Sequence, residues 1–256
     1  STIDRKVAAF RNGQGRTTTK PGSLLREGIP IRTFAEWDDA VPGFVEIDLV
    51  AHCGDSVEGQ FIQTLTAVDI RTGWTECLPL AHRSQANVSM AITCLRERLP
   101  FRLLGIDSDN DSVFINETLS RYCRKEAVTF TRSRPYRKND QAHVEQKNWS
   151  VVRRTIGYQR YESAAALALL EAIYADLRLY VNYFQPVMML THKERRGSKI
   201  HKKYDPAKTP CQRALASEEV SALVKLRLQR TFLELNPVAL KARIDETLKK
   251  LWCLSR

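Results

Sequence analysis

The sequence predicts an α/β domain with one mixed β-sheet between helices, followed by a helical C-terminal region. The predicted elements of the domain follow the order strand, hairpin, helix, strand, helix, strand, helix, which is typical of a sheet covered by helices. The hairpin is antiparallel and therefore excludes a purely parallel, doubly wound sheet. Helical periodicity dominates the rest of the chain, apart from one strongly basic stretch at 192–210.

The first half of the domain is predicted to contain three strands and a helix. Residues 43–52 form an apolar, β-branched run that suits a buried strand. The segments 59–70 and 74–80 flank a short turn and predict a hairpin. Residues 84–99 carry apolar side chains at helical spacing, which predicts the first helix.

The second half continues with alternating strands and helices. We expect a strand at 101–109, a helix at 115–127, a short strand at 128–132 and a helix from 140 to about 157. A long amphipathic helix at 163–184 then closes the domain. Its predicted buried side consists of Leu167, Leu170, Ile173, Tyr174, Leu177 and Val181.

The sequence divides into three regions. Residues 1–42 predict a short helix and a Gly/Thr/Lys-rich linker. Residues 43–185 form the predicted α/β domain. Residues 186–256 form a basic, mostly helical C-terminal region, with helices expected at about 217–234 and 237–252.

Composition limits the classes of function. The chain has 256 residues, is 43% hydrophobic and 27% charged, and carries a formal net charge of +11, which favours a polyanionic partner such as nucleic acid. It has no apolar run long enough to span a bilayer, so we expect no membrane partner and a cytoplasmic, nucleoid-associated location. Its six cysteines form no CxxC pair, which argues against a zinc site.

Three acidic residues lie where carboxylates are costly or unexpected. Asp48 lies inside an apolar strand, Asp109 ends another, and Glu145 lies on the helix that follows an arginine-rich loop. A buried ionised carboxylate must be paired or bound to a metal. Three carboxylates together suit a hard divalent cation, which prefers oxygen ligands.

These residues resemble a known family. Asp48 in "IDLVAH", Asp109 in "DSDNDSVFIN" and Glu145 in "NDQAHVEQKN" are similar to the three acids of the DDE transposase and retroviral-integrase superfamily. The 35 residues between Asp109 and Glu145 match the spacing typical of that family. The flanking segments resemble a bacterial insertion-sequence transposase with an integrase core. This resemblance implies that residues 43–185 are an integrase-type catalytic core and that residues 1–42 are the remnant of an upstream DNA-binding region in a longer protein.

The resemblance implies a ribonuclease H-like fold and two Mg²⁺ (or Mn²⁺) ions held by Asp48, Asp109 and Glu145. It implies DNA strand cleavage and strand transfer, with element ends and target DNA as partners and a homodimer or higher oligomer on DNA. Such metal pairs clamp the attacking and leaving oxygens at phosphorus. The alternatives are a decayed copy that only binds DNA and a ribonuclease H-like nuclease that only hydrolyses.

The second acid of the motif has one competing candidate. Asp107 competes with Asp109 for this position. We favour Asp109 because it precedes Asn110 and keeps the spacing, and because we expect Asp107 to point to the other face of its strand.

The chain also departs from the family's usual Asp-Asn-Gly-Ser-Glu-Phe at Asp111 and Val113. Because Gly often marks a positive φ, we expect Asp111 to strain the turn and weaken catalysis.

The region around Glu145 is the predicted DNA-binding surface. Residues 132–160 contain eight Lys or Arg against two acids. Beside a phosphoryl-transfer motif, such a run favours contacts with phosphates. The predicted DNA-binding residues are Arg132, Arg134, Arg137, Lys138, Gln141, Lys147, Asn148, Arg153 and Arg154.

Overall fold

A computed structural model of the chain describes residues 28–31, 41–134 and 138–255, without the side chains of residues 138, 139 and 196. The predicted N-terminal helix and linker lie outside the described residues, as do Arg137 and the side chain of Lys138.

Five strands form one mixed sheet in the order β3-β2-β1-β4-β5. β1 pairs antiparallel with β2 and β2 antiparallel with β3, whereas β4 and β5 run parallel to β1. The strands are β1 Phe44–Ala51, β2 Gln63–Asp69, β3 Thr75–Leu80, β4 Gly105–Ser108 and β5 Thr129–Arg132. This order and these directions are those of the ribonuclease H-like fold, so the predicted fold class is confirmed.

Apart from a helix at Pro210–Ala216 that the sequence did not predict, the helices lie where the periodicity predicted them, with ends shifted by a few residues. Ser84, Asn116 and Ser163 each cap a helix start with a side-chain oxygen, as residues of these types commonly do. The helices are α1 Gln85–Arg98, α2 Glu117–Lys125, α3 Ala142–Lys147, α4 Ala164–Phe184, α5 Pro210–Ala216, α6 Ala222–Glu234 and α7 Pro237–Trp252.

The helix predicted at 140–157 is interrupted. A 3₁₀ turn at Lys138–Gln141 precedes α3, a π-helical turn at Asn148–Arg153 follows it, and a last α-helical turn occupies Arg154–Ile156. Gly157 ends the segment with φ of +89°, a conformation that favours glycine. A π-helical break of a single turn adds too few residues to alter a short apolar pattern, so the sequence did not reveal it.

Each face of the sheet is covered by its own apolar core. Alternate residues of a strand point to opposite faces, so Val45 and Ile47 pack with α1 and α2 in one core. Val50 packs on the other face with the π-helical turn, α4 and α7. Glu46 and Asp48 share this second face with Val50, which brings two carboxylates to the side where α3 crosses the sheet.

The C-terminal region contains a β-hairpin that the sequence did not predict. β6 Leu190–Arg196 pairs antiparallel with β7 Lys199–Tyr204, and α5, α6 and α7 follow. The region is therefore helical only beyond the hairpin. α7 packs on α4 through Ile244 and Leu248, while Leu170 and Ile173 contribute from α4. Within the described part of the chain, no helix is both long and apolar enough to cross a bilayer.

Candidate active site

Asp48 lies in the middle of β1 and is half-buried. One carboxylate oxygen accepts a hydrogen bond from the Asn148 side chain at 2.7 Å, and the other accepts from the backbone N–H of Leu49 at 2.7 Å. Burial, together with the negative charges of Asp109 and Glu145, raises the pKa of Asp48 to about 6, although the two hydrogen bonds lower it. A metal ion or another cation would therefore stabilise the ionised carboxylate.

Asp109 follows β4 directly and lies beside Asp48. Ile47 on β1 is paired with Ser108 on β4 in the parallel register, so the next residue after each of them is Asp48 and Asp109, respectively. The Asp109 carboxylate accepts from the backbone N–H of Asp111 at 2.9 Å. Burial raises the pKa of Asp109 above its usual range.

Glu145 lies on α3 and its side chain is exposed. Its charge contributes to the raised pKa of Asp48 on β1, so the two carboxylates lie within electrostatic range across the gap between helix and sheet. Asp48 lies on a strand, Asp109 after a strand and Glu145 on a helix, and the charges of Asp109 and Glu145 both act on Asp48.

Glu46 is a fourth acid at this site, and the sequence analysis did not single it out. Its side chain is only 2% exposed, and one oxygen accepts hydrogen bonds from the backbone N–H groups of His143 and Val144, both at 2.9 Å. Both N–H groups belong to the first turn of α3, where backbone donors lack an acceptor within the helix itself. Glu46 therefore attaches the helix that carries Glu145 to β1. A second acid two residues before Asp48 in an apolar strand was the signal that could have identified it.

Burial raises the pKa of Glu46 to about 8, and the nearby negative charges of Asp107 and Glu145 raise it as well. The two backbone hydrogen bonds lower it but do not offset the desolvation. The carboxyl group is consequently mostly protonated at neutral pH.

The π-helical turn positions Asn148 against Asp48. Single π-helical turns within α-helices often occur at functional sites. The Asn148 side-chain oxygen is buried and has no hydrogen-bond partner in the described part of the chain. An unsatisfied amide oxygen beside Asp48 offers a further oxygen donor to a cation.

Asp107 does not point away from the site, so that expectation was wrong. Residues two apart in a strand share a face, and Asp107 lies in register with Glu46 on β1. Its side chain is 4% exposed and accepts a hydrogen bond from the Thr131 hydroxyl at 2.6 Å. Asp107 is thus buried deeper under α3 than Asp109, which lies closer to the open end of the sheet.

Asp111 does not adopt a strained backbone, so the expected strain was wrong, while its effect on catalysis stays a prediction. Among the described residues other than glycine, positive φ occurs only at Ala127. The Asp111 carboxylate accepts from the backbone N–H of Val113 at 3.0 Å and forms an ion pair with Arg83. Asp111 stabilises its turn as Asp residues often do, and Arg83 offsets its charge.

Three predicted DNA-binding side chains are buried in the fold. Arg132 donates to the carbonyl oxygen of Ile29 and to the Asn110 side chain, each at 3.1 Å. Gln141 and Lys147 are each 7% exposed, and burial lowers the pKa of Lys147. We therefore do not retain these three as phosphate contacts.

The remaining basic residues lie nearer the surface. Arg134 forms a bidentate ion pair with the buried Asp140 at 2.7 and 2.8 Å. Arg153 donates to the carbonyl oxygen of Ala51 at 2.8 Å and lies over the Tyr158 ring. Arg154 lies over the exposed Trp149 ring, 5.5 Å from its centre.

The donor set fits a hard divalent cation in chemistry, although the side chains do not converge. Three carboxylates and one amide oxygen are ligands that Mg²⁺ prefers. Among the described residues, no three His, Cys, Asp or Glu side chains lie close enough together to hold a metal ion. Cation binding would therefore require the Asp48, Asp109 and Glu145 side chains to move toward one another.

We expect Mg²⁺ or Mn²⁺ to raise the melting temperature of the protein. Divalent cations that bind only the folded state stabilise it by mass action, in proportion to ln(1 + [L]/Kd). Melting curves at increasing Mg²⁺ should shift upward in the native chain and should not shift in Asp48→Asn. Glu171→Gln, an exposed change on α4, is the control that should keep the shift. An equal response in Asp48→Asn would contradict cation binding at this site.

Comparison with known proteins gives one relative by sequence. No family model matches the chain. It is 45% identical over 216 residues to the uncharacterized protein y4rM of Sinorhizobium fredii (strain NBRC 101917 / NGR234), across 83% of this chain. The chain spans 62% of the length of that relative.

Solved structures with a similar course of the chain include three viral ones. A chain from the cryo-EM structure of a simian T-cell lymphotropic virus intasome with PP2A regulatory subunit B56 gamma has a TM-score of 0.45 and 14% identity, over 61% of this chain and 52% of that one. The BIV integrase catalytic core domain has a TM-score of 0.39 and 18% identity, and the match covers 56% of this chain and 84% of that one. The HTLV-2 integrase catalytic core domain in complex with magnesium has a TM-score of 0.42 and 12% identity, and the match covers 57% of this chain and 91% of that one.

Proposed function

We propose that this chain is a metal-dependent DNA transposase or integrase, a polynucleotidyl transferase that cuts DNA and joins the cut end to a new site. The observation that carries the proposal is the grouping of Asp48, Asp109 and Glu145 on one side of a ribonuclease H-like sheet. The three acids were selected from the sequence by their motifs and spacing alone. The proposal is supported by the charges of Asp109 and Glu145, each of which acts on the Asp48 carboxylate.

Asp48, Asp109 and Glu145 would hold two Mg²⁺ or Mn²⁺ ions, with the Asn148 amide oxygen as a further donor. Bound cations of this kind activate a water or a DNA 3′-hydroxyl and stabilise the charge that develops at the phosphorus. The protein's own residues position this site. Asn148 orients Asp48 through the 2.7 Å hydrogen bond, and Glu46 fixes the start of the helix that carries Glu145.

The DNA backbone would lie along the surface around Arg134, Arg153 and Arg154, and Arg137 and Lys138 are further candidates by sequence. Arg83 lies at the rim of the cleft that contains Asp48 and Asp109, and the sequence analysis did not select it. Its guanidinium is ion-paired with Asp111 and is 47% exposed, so it could exchange that partner for a phosphate.

A strand-transfer assay tests this function. The purified chain is incubated with Mg²⁺ or Mn²⁺, a supercoiled plasmid and a labelled duplex oligonucleotide that ends in a 3′-hydroxyl. Covalent attachment of the label to plasmid DNA is the expected result. Nicking without attachment would indicate a nuclease that only hydrolyses, and binding without either reaction would indicate a protein that has lost catalysis.

Joining two DNA ends needs two active sites, so we also propose a homodimer or higher oligomer on DNA. Light scattering of the chain with and without a short duplex measures the mass of the complex directly. A complex with a single protein chain under conditions that support strand transfer would contradict this assembly.

A further inference from the structure

The β6–β7 hairpin is a basic ribbon that the catalytic site does not use. Residues 190–204 contain six Lys or Arg and one acid, Glu194. All six residues of β7 are exposed. Because neighbouring residues of a strand point to opposite faces, neither face of β7 is packed against the domain.

Such a hairpin contributes little to folding stability by itself. A two-stranded hairpin with no apolar face to bury is marginally stable in water. Lys193 lies directly opposite Lys202 in the register, and like charges in that position destabilise a strand pair. The ribbon therefore places positive charges together at a cost in folding stability, which a polyanionic partner would offset.

The base of the hairpin is nevertheless firmly attached. Asp205 accepts from the backbone N–H of Met189 at 2.6 Å and pairs with Arg213 of α5 at 2.5 Å. Arg213 also donates to the carbonyl oxygen of Val187 at 2.8 Å. The two chain segments entering and leaving the hairpin are thereby tied to α5, so the ribbon has a fixed base on the domain.

Positive charges occur on both faces of the ribbon. By register and alternation, Lys193, Arg195 and Lys202 share one face, which we call the Lys193 face. Lys199 and Lys203 share the opposite face with His192, which we call the Lys199 face. A flat anionic surface would contact only one of these faces, whereas a groove between two phosphate backbones contacts both.

We propose that the β6–β7 hairpin docks in the major groove of duplex DNA and holds the DNA outside the catalytic cleft. The major groove of B-DNA is about 12 Å wide and accommodates a two-stranded β-ribbon. β7, with six residues, is long enough to follow the groove for about 20 Å. The proposal rests on DNA as the substrate class, but the hairpin itself needs neither metal nor catalysis.

The test is DNA affinity as a function of salt, measured by fluorescence anisotropy on a short duplex in EDTA. Each phosphate contact contributes about 0.9 to the slope of log affinity against log salt. Lys193→Ala/Arg195→Ala/Lys202→Ala should reduce the slope by about 2 to 3, and Lys199→Ala/Lys203→Ala by about 1 to 2. The matched control is Lys225→Ala/Arg227→Ala/Lys249→Ala on α6 and α7, which removes three charges and should leave the slope unchanged.

Other occupants give different results. Loss of slope in only one of the two face variants would indicate a flat contact and overturn docking in a groove. If the hairpin variants and the control variant weaken DNA binding equally, the effect depends only on net charge, and the hairpin is not a DNA-binding site. An RNA duplex of the same sequence has a deep, narrow major groove, so the hairpin variants should barely change its binding. Equal losses on RNA and DNA would also overturn the proposal. Because the assay contains EDTA, a failed strand-transfer reaction does not affect any of these outcomes.

Discussion

Replacing Glu145 by Gln should reduce strand transfer by more than about 100-fold while leaving DNA affinity nearly unchanged. The change keeps the shape of the side chain and removes one ligand charge. Loss of residues that merely orient metal ligands already costs about 10- to 100-fold, so loss of a direct ligand should cost at least that much. Because Glu145 is exposed, the substitution should not unfold the protein. Initial rates in Mg²⁺ and the duplex affinity measured in EDTA separate the two effects.

The same assay decides between the two candidates for the second acid. Asp109→Asn should be as inactive as Glu145→Gln, whereas Asp107→Asn should stay active because Asp107 is bonded to Thr131 beneath α3. Glu171→Gln makes the same chemical change on an exposed helix and should have native activity. An active Glu145→Gln enzyme would exclude Glu145 as a metal ligand. An inactive Asp107→Asn together with an active Asp109→Asn would show that Asp107, and not Asp109, is the second acid.

Replacing Glu46 should have opposite effects on stability, depending on the new side chain. Glu46→Ala leaves two N–H groups of α3 without a partner, and a buried unsatisfied polar group costs about 1–3 kcal/mol. Gln has the same shape, and its carbonyl oxygen can accept both hydrogen bonds without a charge. We therefore expect urea denaturation at pH 7 to find Glu46→Ala strongly destabilised and Glu46→Gln at least as stable as the native chain.

The pH dependence has a definite sign. The native state holds the Glu46 proton up to a pKa of about 8, whereas an ordinary glutamate loses it near 4.5. Between these values the unfolded state binds fewer protons, so the native chain loses about 1.4 kcal/mol per pH unit through this group. Glu46 contributes its full stability below pH 4.5 and loses it as the pH rises to about 8. The free-energy difference between Glu46→Gln and the native chain should grow across this window and level off above it.

Glu46→Gln should also retain strand transfer, because it still fixes the start of α3, and Glu46→Ala should lose much of it. A pH-independent difference in stability between Glu46→Gln and the native chain would mean that Glu46 is ionised in the fold. Equal stability of the Ala and Gln variants would mean that Glu46 does not hold α3 in place.

The sequence by itself determined the elements of the core and the choice of three acids. The apolar run of β1 and the helical spacing in α4 are local patterns, because a strand or helix exposes its buried side at a fixed period. The three acids were chosen by the resemblance of their motifs and spacing to a known family, because position in an apolar strand alone does not separate Asp48 from Glu46.

Only the tertiary structure decided which groups share an environment. The sequence treated Arg132, Gln141 and Lys147 as surface residues, because charge and polarity do not reveal burial, and the fold placed them inside. Glu46 acquired its role from α3, which lies almost 100 residues further along the chain, since its partners are His143 and Val144. Contacts at such separations depend on how strands and helices pack, and no local pattern encodes them.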